Sequence, residues 1–229
     1  MRLKIFCFFI LSIFACSKVN QWKQPTKICF SIDLLDATIL DGKLTFDEGY
    51  LMVESFKFDG KRTEGADVYF TKHYTDEFTA PLGIERLDEL SFDVPQGIYQ
   101  SIDVELVSKS SHTPNLVING TFKNKMGLLY PVRFELAKTE VLHITGEDLM
   151  GNDKEVDLAK ITKTKATILL DPAQWFSSIQ GASLEQAEKS PVGGQSTILI
   201  TKTINQQLYE EVVAKLEREE QKAVFVKQS

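Results

Sequence analysis

The sequence predicts a mainly β protein, an antiparallel β-sandwich with two short helical additions. Three observations indicate this fold class. Apolar and polar residues alternate in several segments, turn-forming residues separate those segments, and a helical repeat is present in only two places. The segments number about nine or ten, which is too many for one open sheet of modest twist and favours two packed sheets.

Strict alternation marks the individual strands, because residues two apart in a strand share a face. Strands with one buried and one solvated face are typical of antiparallel sheets. The alternation is present in 27–34, 89–94, 98–106 and 128–136, and further strands are expected at 140–145, 165–170 and 196–204. The side chains expected to face the core are Ile28, Phe30, Ile32, Leu34, Leu90, Phe92, Val94, Ile98, Ile102, Val104, Leu106, Leu128, Tyr130, Val132, Phe134 and Leu136.

Turn-forming residues separate the strands. The pair Asp59-Gly60 lies between two apolar segments, and residues 124–127 lie between two others. Both are expected to connect hairpin strands, since Asp-Gly and Asn-Gly types of sequence adopt the left-handed conformations that tight hairpin turns need. Residues 95–97, with the sequence PQG, predict a further change of direction.

Two short helices interrupt the β pattern. Asp171 is a good N-cap for a helix that starts with proline, whose missing amide hydrogen costs nothing there, so a helix is expected near 172–178. The stretch 180–195 is expected to be a loop. Asn205 is expected to cap an amphipathic helix over 205–222 that packs on the sheets through one apolar stripe. The stripe consists of Leu208, Tyr209, Val212, Val213 and Leu216.

The N-terminus carries the pattern of an export signal. Arg2 and Lys4 precede an apolar run from Ile5 to Phe14. Ala15 then supplies a small residue before the expected cleavage point. A membrane-spanning helix needs about 20 apolar residues, roughly twice the length of this run. Residues 1–15 are therefore expected to be a signal peptide that the mature protein lacks.

The residues at the cleavage point, Ile13 to Cys16 with the sequence IFAC, resemble the lipobox of bacterial lipoproteins. The resemblance implies that the thiol of Cys16 is acylated, with palmitate in the anchor, and that Cys16 becomes the N-terminus. Several acyl chains anchor far more durably than one, since each buried CH₂ contributes about 0.8 kcal/mol. Ser17, where this family uses aspartate for retention at the inner membrane, favours the outer membrane. Residues 16–26 are expected to be a tether.

Cysteine usage and charge narrow the range of partners. Cys7 leaves with the signal peptide and Cys16 carries lipid, so Cys29 is the one remaining thiol and no internal disulfide is expected. Removing the two basic residues of the signal leaves 24 basic against 32 acidic residues, a net charge of −8. This charge argues against nucleic acid as a partner and against electrostatic docking on anionic lipid.

Candidate catalytic and metal-binding residues are scattered. His73, His112 and His143 lie in different segments without the close pairing usual in zinc sites, so no metal, cofactor or catalytic role is expected. The acidic loop 147–157 has oxygen donors suitable for calcium but not the spacing of an EF-hand, and a solvated surface turn is the simpler interpretation. Its donors are Glu147, Asp148, Asn152, Asp153, Glu155 and Asp157.

Longer stretches resemble a group of uncharacterised lipoproteins of Gram-negative, Bacteroidetes-type bacteria, over about residues 44–211. The resemblance is carried by the segments 49–74, 90–106, 116–136 and 166–176. It implies a lipid-anchored β-sandwich of immunoglobulin-like, transthyretin-like or pilin-like architecture. The shared motifs, such as the corner DPAQWF, are structural, so the resemblance implies compartment and fold but no activity.

The leading hypothesis is a non-enzymatic, lipid-anchored envelope protein at the outer membrane, on its periplasmic face or at the cell surface, that binds an envelope protein or a glycan. The first alternative is a pilus-like or adhesin subunit that assembles by strand exchange. The second is a carbohydrate-binding or hydrolytic domain that uses Trp175 and Phe176 for stacking, although such a pair more often closes a core. The expected signal, tether, sandwich domain, helix and tail are 1–15, 16–26, 27–204, 205–222 and 223–229.

Overall fold

A computed structural model describes residues 25–36, 38–84, 87–108, 114–148, 155–158 and 163–227. Within these residues the fold is mainly β, as predicted. The strands are β1 (Pro25–Leu34), β2 (Thr38–Ile39), β3 (Leu44–Arg62), β4 (Val68–Pro81), β5 (Ser91–Pro95), β6 (Gly97–Ser108), β7 (Leu116–Lys123), β8 (Leu129–Leu136), β9 (Val141–Glu147), β10 (Val156–Leu158), β11 (Thr164–Leu170), β12 (Lys189–Val192), β13 (Gln195–Ile200) and β14 (Gln221–Lys227). The helices are α1 (Pro172–Trp175), α2 (Gly181–Gln186) and α3 (Gln206–Leu216), and one 3-10 turn spans Asp88–Leu90.

The described strands form one hydrogen-bonded sheet, with the long strand β3 at its centre. The first part of β3, from Leu44 to Leu51, pairs with β7, and the part from Val53 to Arg62 pairs with β6. Strands β8, β13 and β12 follow β7, whereas β9, β14, β11, β1 and β5 follow β6. A bulge between Val53 and Ser55 separates the two parts, and bulges bend the strand that carries them.

The second part of β3, with β4, β6, β9, β14, β11, β1 and β5, forms what we call the aromatic region. Here the sheet curls until β1 faces β3, although four strands separate them in the sheet. The Phe30 ring lies 5.0 Å from that of Phe56, and the Phe92 ring lies 4.6 Å from Phe56 and 6.2 Å from Phe30. Phenylalanine rings therefore fill this interior, at separations typical of favourable aromatic pairs.

The first part of β3, with β7, β8, β13, β12 and the three helices, forms what we call the helix-covered region. The ring of Phe176, just after α1, lies 4.6 Å from Phe46 of β3 and 5.9 Å from Phe134 of β8. Tyr209 of α3 also stacks on Phe134, at 5.9 Å. Buried apolar residues of the two regions form one continuous core.

The prediction of two packed antiparallel sheets is not confirmed. Strand pairs β1–β11, β8–β13 and β9–β14 are parallel, so the single sheet is mixed. Residue alternation reports that a strand has two different faces, but it does not report the direction of the neighbouring strands. The parallel partners are far apart in sequence, as crossover connections require, and no local turn signal announces them.

The predicted faces of β6 are wrong at its start. Tyr99 is fully buried, whereas Ile98 is only half-buried. The pairing with β3 shifts at this point, because Gln100 is an additional residue in β6. One bulge exchanges the two faces for every residue beyond it. The other residues expected inside but not fully buried are Leu34, Phe92, Leu128 and Tyr130.

Strand β1 is buried on both faces rather than on one. Cys29 and Ser31, expected on the solvated face, are 7% and 2% exposed. The hydroxyl of Ser31 donates a hydrogen bond to that of Thr167 on β11 at 3.2 Å, so its polar atom is satisfied. Strand β1 lies between β11 and β5, so it is an interior strand. Its alternating polar residues suggested a solvated face and therefore did not predict burial on both faces.

The pair Asp59-Gly60 is not a turn. Both residues lie inside β3, where Gly60 pairs with β4 and β6. A β-carbon on Gly60 would lie 2.6 Å from the ring of Tyr99, so glycine permits close packing here. The chain turns instead at 63–67. The hairpin predicted at 124–127 is confirmed, between β7 and β8.

The first helix begins as predicted. The carboxylate of Asp171 accepts a hydrogen bond from the amide of Gln174 at 3.1 Å, and proline follows the cap. The regular helix ends at Trp175 and is followed by turn residues. The expected loop 180–195 is wrong, because it contains α2 and β12. Six and four residues are too few to display a clear periodic pattern.

Helix α3 has the predicted buried stripe, but its boundaries differ from 205–222. Asn205 has a φ of 52°, and its side chain donates to the carbonyls of Glu188 and Leu199 instead of capping the helix. The helix ends at Leu216. The expected tail is largely strand β14, which lies between β9 and β11 in the middle of the sheet.

Candidate functional sites

Cys16, the candidate lipidation site, lies outside the described residues, together with the expected signal peptide and most of the tether. The last two residues of the predicted tether belong to the sheet instead, because β1 begins at Pro25 and Thr26 is already buried. Pro25 pairs with Pro95 at the end of β5, which places the start of β1 within the sheet. Among the described residues, no helix combines the length and apolar character needed to cross a membrane.

The start of β1 and the β7–β8 hairpin lie at opposite ends of β3. At one end, the guanidinium of Arg62 donates a hydrogen bond to the carbonyl of Gln96 at 2.6 Å, next to the Pro25–Pro95 pair. At the other end, Leu44 pairs with Phe122, directly before the hairpin turn. The 19 residues of β3 separate these ends. A strand of that length spans at most about 60 Å, less where bulges bend it.

The hairpin tip, which we define as residues 123–129, has a complete set of internal hydrogen bonds for its amides. The side-chain oxygen of Asn124 accepts from the amides of Met126 and Leu128, at 2.9 and 2.8 Å. The amide of Gly127 donates to the Asn124 carbonyl, and the amide of Asn124 donates to the carbonyl of Leu128. The carboxylate of Glu185 accepts from the amide of Lys125 at 2.6 Å. Every amide from 124 to 128 therefore has an acceptor.

Large apolar side chains project from this tip. Met126 is 71% exposed, Leu128 51% and Leu129 66%. Single exposed apolar residues are ordinary, but three within four positions form a patch that usually marks a contact surface. Leu128 was expected in the core, so the structure assigns it to the surface instead.

Basic side chains surround the same tip. Lys43, Lys123 and Lys125 are exposed, and the Lys123 side chain lies 3.9 Å from a β-carbon position on Gly127. The amide of Lys123 donates to the carbonyl of Lys43, which holds these two residues together. The ammonium group of Lys189 lies 4.6 Å from the centre of the Tyr130 ring, a favourable cation–π contact. The tip is thus locally basic, in contrast to the acidic chain as a whole.

A cleft of about 390 Å³ opens at the other end of the sheet, beside the start of β11. Apolar side chains and three carboxylates line it, and the hydroxyl of the buried Thr164 has no hydrogen-bond partner among the described residues. The lining residues are Asp148, Glu155, Val156, Asp157, Thr164, Phe225 and Val226. Part of the acidic loop borders the cleft, whereas Asn152 and Asp153 lie outside the described residues.

The described part of the acidic loop and the histidines do not assemble a metal centre. Glu147 is paired with Lys222 at 2.9 Å, and no three His, Cys, Asp or Glu residues in the described ranges are grouped around a common point. His73 and His143 are exposed on β4 and β9, and His112 lies outside the described residues. His143 is a strand residue, as expected. Its ring is 4.0 Å from the carboxylate of Glu105.

Trp175 and Phe176 are both fully buried, so they offer no exposed surface on which a sugar could stack. They close the core beneath the helices, which is the simpler of the two interpretations of this pair. The indole nitrogen of Trp175 has no hydrogen-bond partner among the described residues. An unpaired buried donor is costly, but packing of a ring this large compensates through the apolar area that it buries.

Ionisable side chains near the sheet are held in structural roles. Burial raises the pKa of the Tyr99 hydroxyl to about 12, although nearby Arg62 lowers it, and the hydroxyl donates to the carbonyl of Pro95 at 2.7 Å. Burial likewise raises the pKa of Tyr74. A hydrogen bond to Glu105 at 2.9 Å raises the pKa of Lys57 on the outer face of the sheet. These shifts stabilise the resting protonation states rather than preparing an acid or base for neutral pH.

Comparison with protein-family models, with curated proteins and with solved structures gave no match for this chain. The surfaces described above therefore have to be interpreted from their own chemistry. Sequence reasoning located the hairpin but missed its apolar tip, because a strand pattern assigned Leu128 and Tyr130 to the core. The sequence pattern that could have predicted the exposed apolar tip is its three apolar residues next to two lysines.

Proposed function

We propose that the chain is a non-enzymatic, lipid-anchored protein of the cell envelope, held at the outer membrane through acyl chains on Cys16. The carrying observation is the cysteine at the end of a short basic and apolar leader, in a sequence that resembles a lipobox. Acyl chains on that cysteine supply the buried CH₂ groups that durable membrane attachment requires.

The start of the fold supports this arrangement. Strand β1 begins at Pro25, which leaves only residues 16–24 to connect Cys16 with the sheet. Nine residues reach at most about 30 Å when fully extended. The anchor therefore keeps the Pro25 end of β3 close to the membrane and leaves the rest of the sheet as the presenting surface.

The placement of chemistry-bearing side chains supports a binding or structural module over an enzyme. His73 and His143 lie on separate strands, and the side chain of Trp175 is buried in the core. A catalytic site needs a nucleophile, base or metal ligands within hydrogen-bond reach of one another. The buried contact between the side chains of Asn115 and Ser108, at 2.7 Å, joins the start of β7 to the end of β6 and has a structural role.

The acylation test compares two cysteines of the leader in cells that export the protein. Full-length chain, Cys16→Ser and Cys7→Ser are expressed with labelled palmitate and followed by fractionation of the two membranes. We expect label in the unaltered chain and in Cys7→Ser at the outer membrane, and none in Cys16→Ser. Label that persists in Cys16→Ser, or that is absent from all three, contradicts the proposal.

Strand exchange is a second candidate, and β4 is the observation that favours it. Its 14 residues pair with β3 along one edge only, within the described residues. The other edge is partly covered, because the side chains of Lys72 and Tyr74 both donate to the carbonyl of Glu89. An open strand edge can accept a strand from a neighbouring chain. A heat-resistant ladder of polymers on a denaturing gel supports this candidate, and a single monomer band removes it.

A further inference from the structure

We infer that the hairpin tip, residues 123–129, is a second membrane contact, which inserts into the headgroup layer of a bilayer that contains anionic lipid. This inference goes beyond the lipid anchor and does not depend on it. It rests on three features of the tip: its apolar side chains, its satisfied amides and its local charge.

The apolar side chains fit a fluid surface better than a protein pocket. Met126, Leu128 and Leu129 stand out from the convex end of a hairpin. Protein interfaces are usually anchored by tryptophan, tyrosine or arginine that fill well-packed pockets. Flexible thioether and leucine side chains suit contact with acyl chains, where affinity scales with the apolar area that leaves water.

The amides of the tip are hydrogen-bonded within the protein, which lowers the cost of entering a medium of low dielectric constant. A hairpin turn normally leaves amides that only water can satisfy, and these resist entry into lipid. Here Asn124 accepts from two of them through its side chain, and Glu185 accepts from a third. Because the amides from 124 to 128 are already paired, these N–H groups give up no hydrogen bonds to water when the tip inserts.

Local charge selects the lipid. Lys43, Lys123 and Lys125 are exposed around the apolar side chains, while Glu185 is engaged with an amide of the tip. Lysine side chains extend along apolar surface and place their ammonium groups at the level of lipid headgroups. Each basic residue near an anionic surface adds an attraction that acts within a Debye length. The net charge of the whole chain is negative and argues against docking on anionic lipid. The charge at the hairpin tip, by contrast, is positive.

The two membrane contacts define an orientation. The tip and the start of β1 lie at opposite ends of β3, and the segment 16–24 reaches at most about 30 Å. When β3 approaches its upper limit of about 60 Å, one bilayer can hold both contacts only if β3 is tilted toward its surface. The protein is then inclined rather than upright on its tether.

The test uses the full-length chain reconstituted in vesicles, with a photoreactive phenylalanine at Leu128 or, as the control, at Val141. Val141 is also exposed and apolar, but it lies at the start of β9, away from the tip. Vesicles contain phosphatidylcholine alone or phosphatidylcholine with phosphatidylglycerol. After illumination, mass spectrometry identifies adducts with lipid, with a second copy of the chain or with neither.

We expect lipid adducts at position 128, several times more than at 141, and more in the vesicles with phosphatidylglycerol. The variant Lys125→Glu should reduce the adducts, whereas Lys202→Glu, in the exposed connection between β13 and α3, should leave them unchanged. Equal adducts at both positions, or none at 128, overturn the inference. Adducts with a second copy overturn it in favour of self-association. Repeating the experiment with Cys16→Ser separates it from the anchor, because the adducts at 128 should persist without acylation.

Discussion

The aromatic region and the helix-covered region share one strand, β3, yet they bury their apolar faces in different ways. In the aromatic region the sheet curls on itself, and Phe30 of β1 meets Phe56 of β3 at 5.0 Å. In the helix-covered region the sheet does not close, and helices supply the second layer, with Phe176 against Phe46 at 4.6 Å. A sheet face has to be covered by something, and the two regions show both solutions in one chain.

The difference shows that the way in which the apolar face of the sheet is covered depends on the number of strands on each side of β3. Five strands follow β6 along the sheet, enough for the accumulated twist and bulges to bring β1 back over β3. Three strands follow β7, which is too few to curl back. The segments that connect β11 with β12 and β13 with β14 contain the helices, and these cover that open face.

Truncation of a ring in either interior should have the largest effect. Phe56→Ala removes a fully buried ring with three close aromatic neighbours, and we expect the free energy of unfolding to fall by about 3–5 kcal/mol. Phe176→Ala should cost a similar amount, since both rings belong to one core. Urea unfolding checks both values. Leu129→Ala, on the hairpin tip, is the control, with an expected change within about 0.5 kcal/mol.

A loss below about 1 kcal/mol for Phe56→Ala, with a normal loss for Phe176→Ala, would show that the curled part of the sheet is not packed as described. The reverse result would place the weakness in the helix-covered region. Either outcome breaks the comparison.

A glycine where β3 meets β7 should give the next largest effect. A β-carbon on Gly120 would lie 2.0 Å from the carbonyl oxygen of Thr45, and backbone cannot yield as a flexible side chain does. We expect Gly120→Ala to cost about 3 kcal/mol, at the upper end for overpacking. Gly181→Ala makes the same chemical change with nothing within 4 Å, so it should be neutral or slightly stabilising. Equal thermal midpoints for the two variants would contradict the β3–β7 pairing.

Tyr99 gives the aromatic region a dependence on alkaline pH. Its pKa is raised from 10.0 to about 12 by burial, so between these values the unfolded chain loses a proton that the folded chain keeps. The free energy of unfolding should therefore fall by about 1.4 kcal/mol per pH unit in that window from this group alone. Below pH 10 its contribution is complete.

The variant Tyr99→Phe lacks the titrating hydroxyl, so this contribution to the pH dependence of unfolding is absent. At neutral pH it should cost about 1 kcal/mol for the lost hydrogen bond to Pro95, and its deficit against the unaltered chain should shrink as pH rises above 10. Tyr74 and Tyr209 also have raised pKa values, but they are present in both proteins, so their contribution cancels in the difference. An unchanged deficit across this range, measured by urea unfolding at several pH values, would contradict the burial of Tyr99.

Asn205 tests a polar contact in the helix-covered region. Its side chain makes three hydrogen bonds, to Glu188 and Leu199, from a left-handed backbone. Asn205→Gly keeps that backbone accessible and should cost about 1–2 kcal/mol. Asn205→Ala loses the same bonds and adds backbone strain, so it should cost more. Equal costs for both variants in thermal unfolding would show that the conformation of Asn205 is not left-handed.

The sequence predicted individual elements well where one local pattern decides them. Alternation found β8 and β9, and the Asp171 cap found α1, because neighbours in sequence carry those signals. Strand β14 was missed, since Ala223 and Phe225 are its only fully buried apolar residues and the charged residues 217–220 prolong the helical appearance. Mixed pairing was missed because partners such as β1 and β11 are more than a hundred residues apart.

The candidate sites were only partly predictable for the same reason. The hairpin at 124–127 has local turn chemistry, so its position could be predicted. That Leu128 lies outside depends on where pairing with β7 ends, at Leu129, which no residue nearby announces. Gly60 was taken for a turn because its actual reason, the ring of Tyr99 above it, comes from a strand 39 residues later.

The central structural claim is that β3 joins both regions into one cooperative body. Native-state hydrogen exchange tests it directly, because it reports an opening free energy for each amide. The most protected amides of β11 in the aromatic region and of β8 in the helix-covered region should exchange with the same opening free energy, equal to that of global unfolding. Two distinct values, with one region opening while the other stays protected, would contradict the claim.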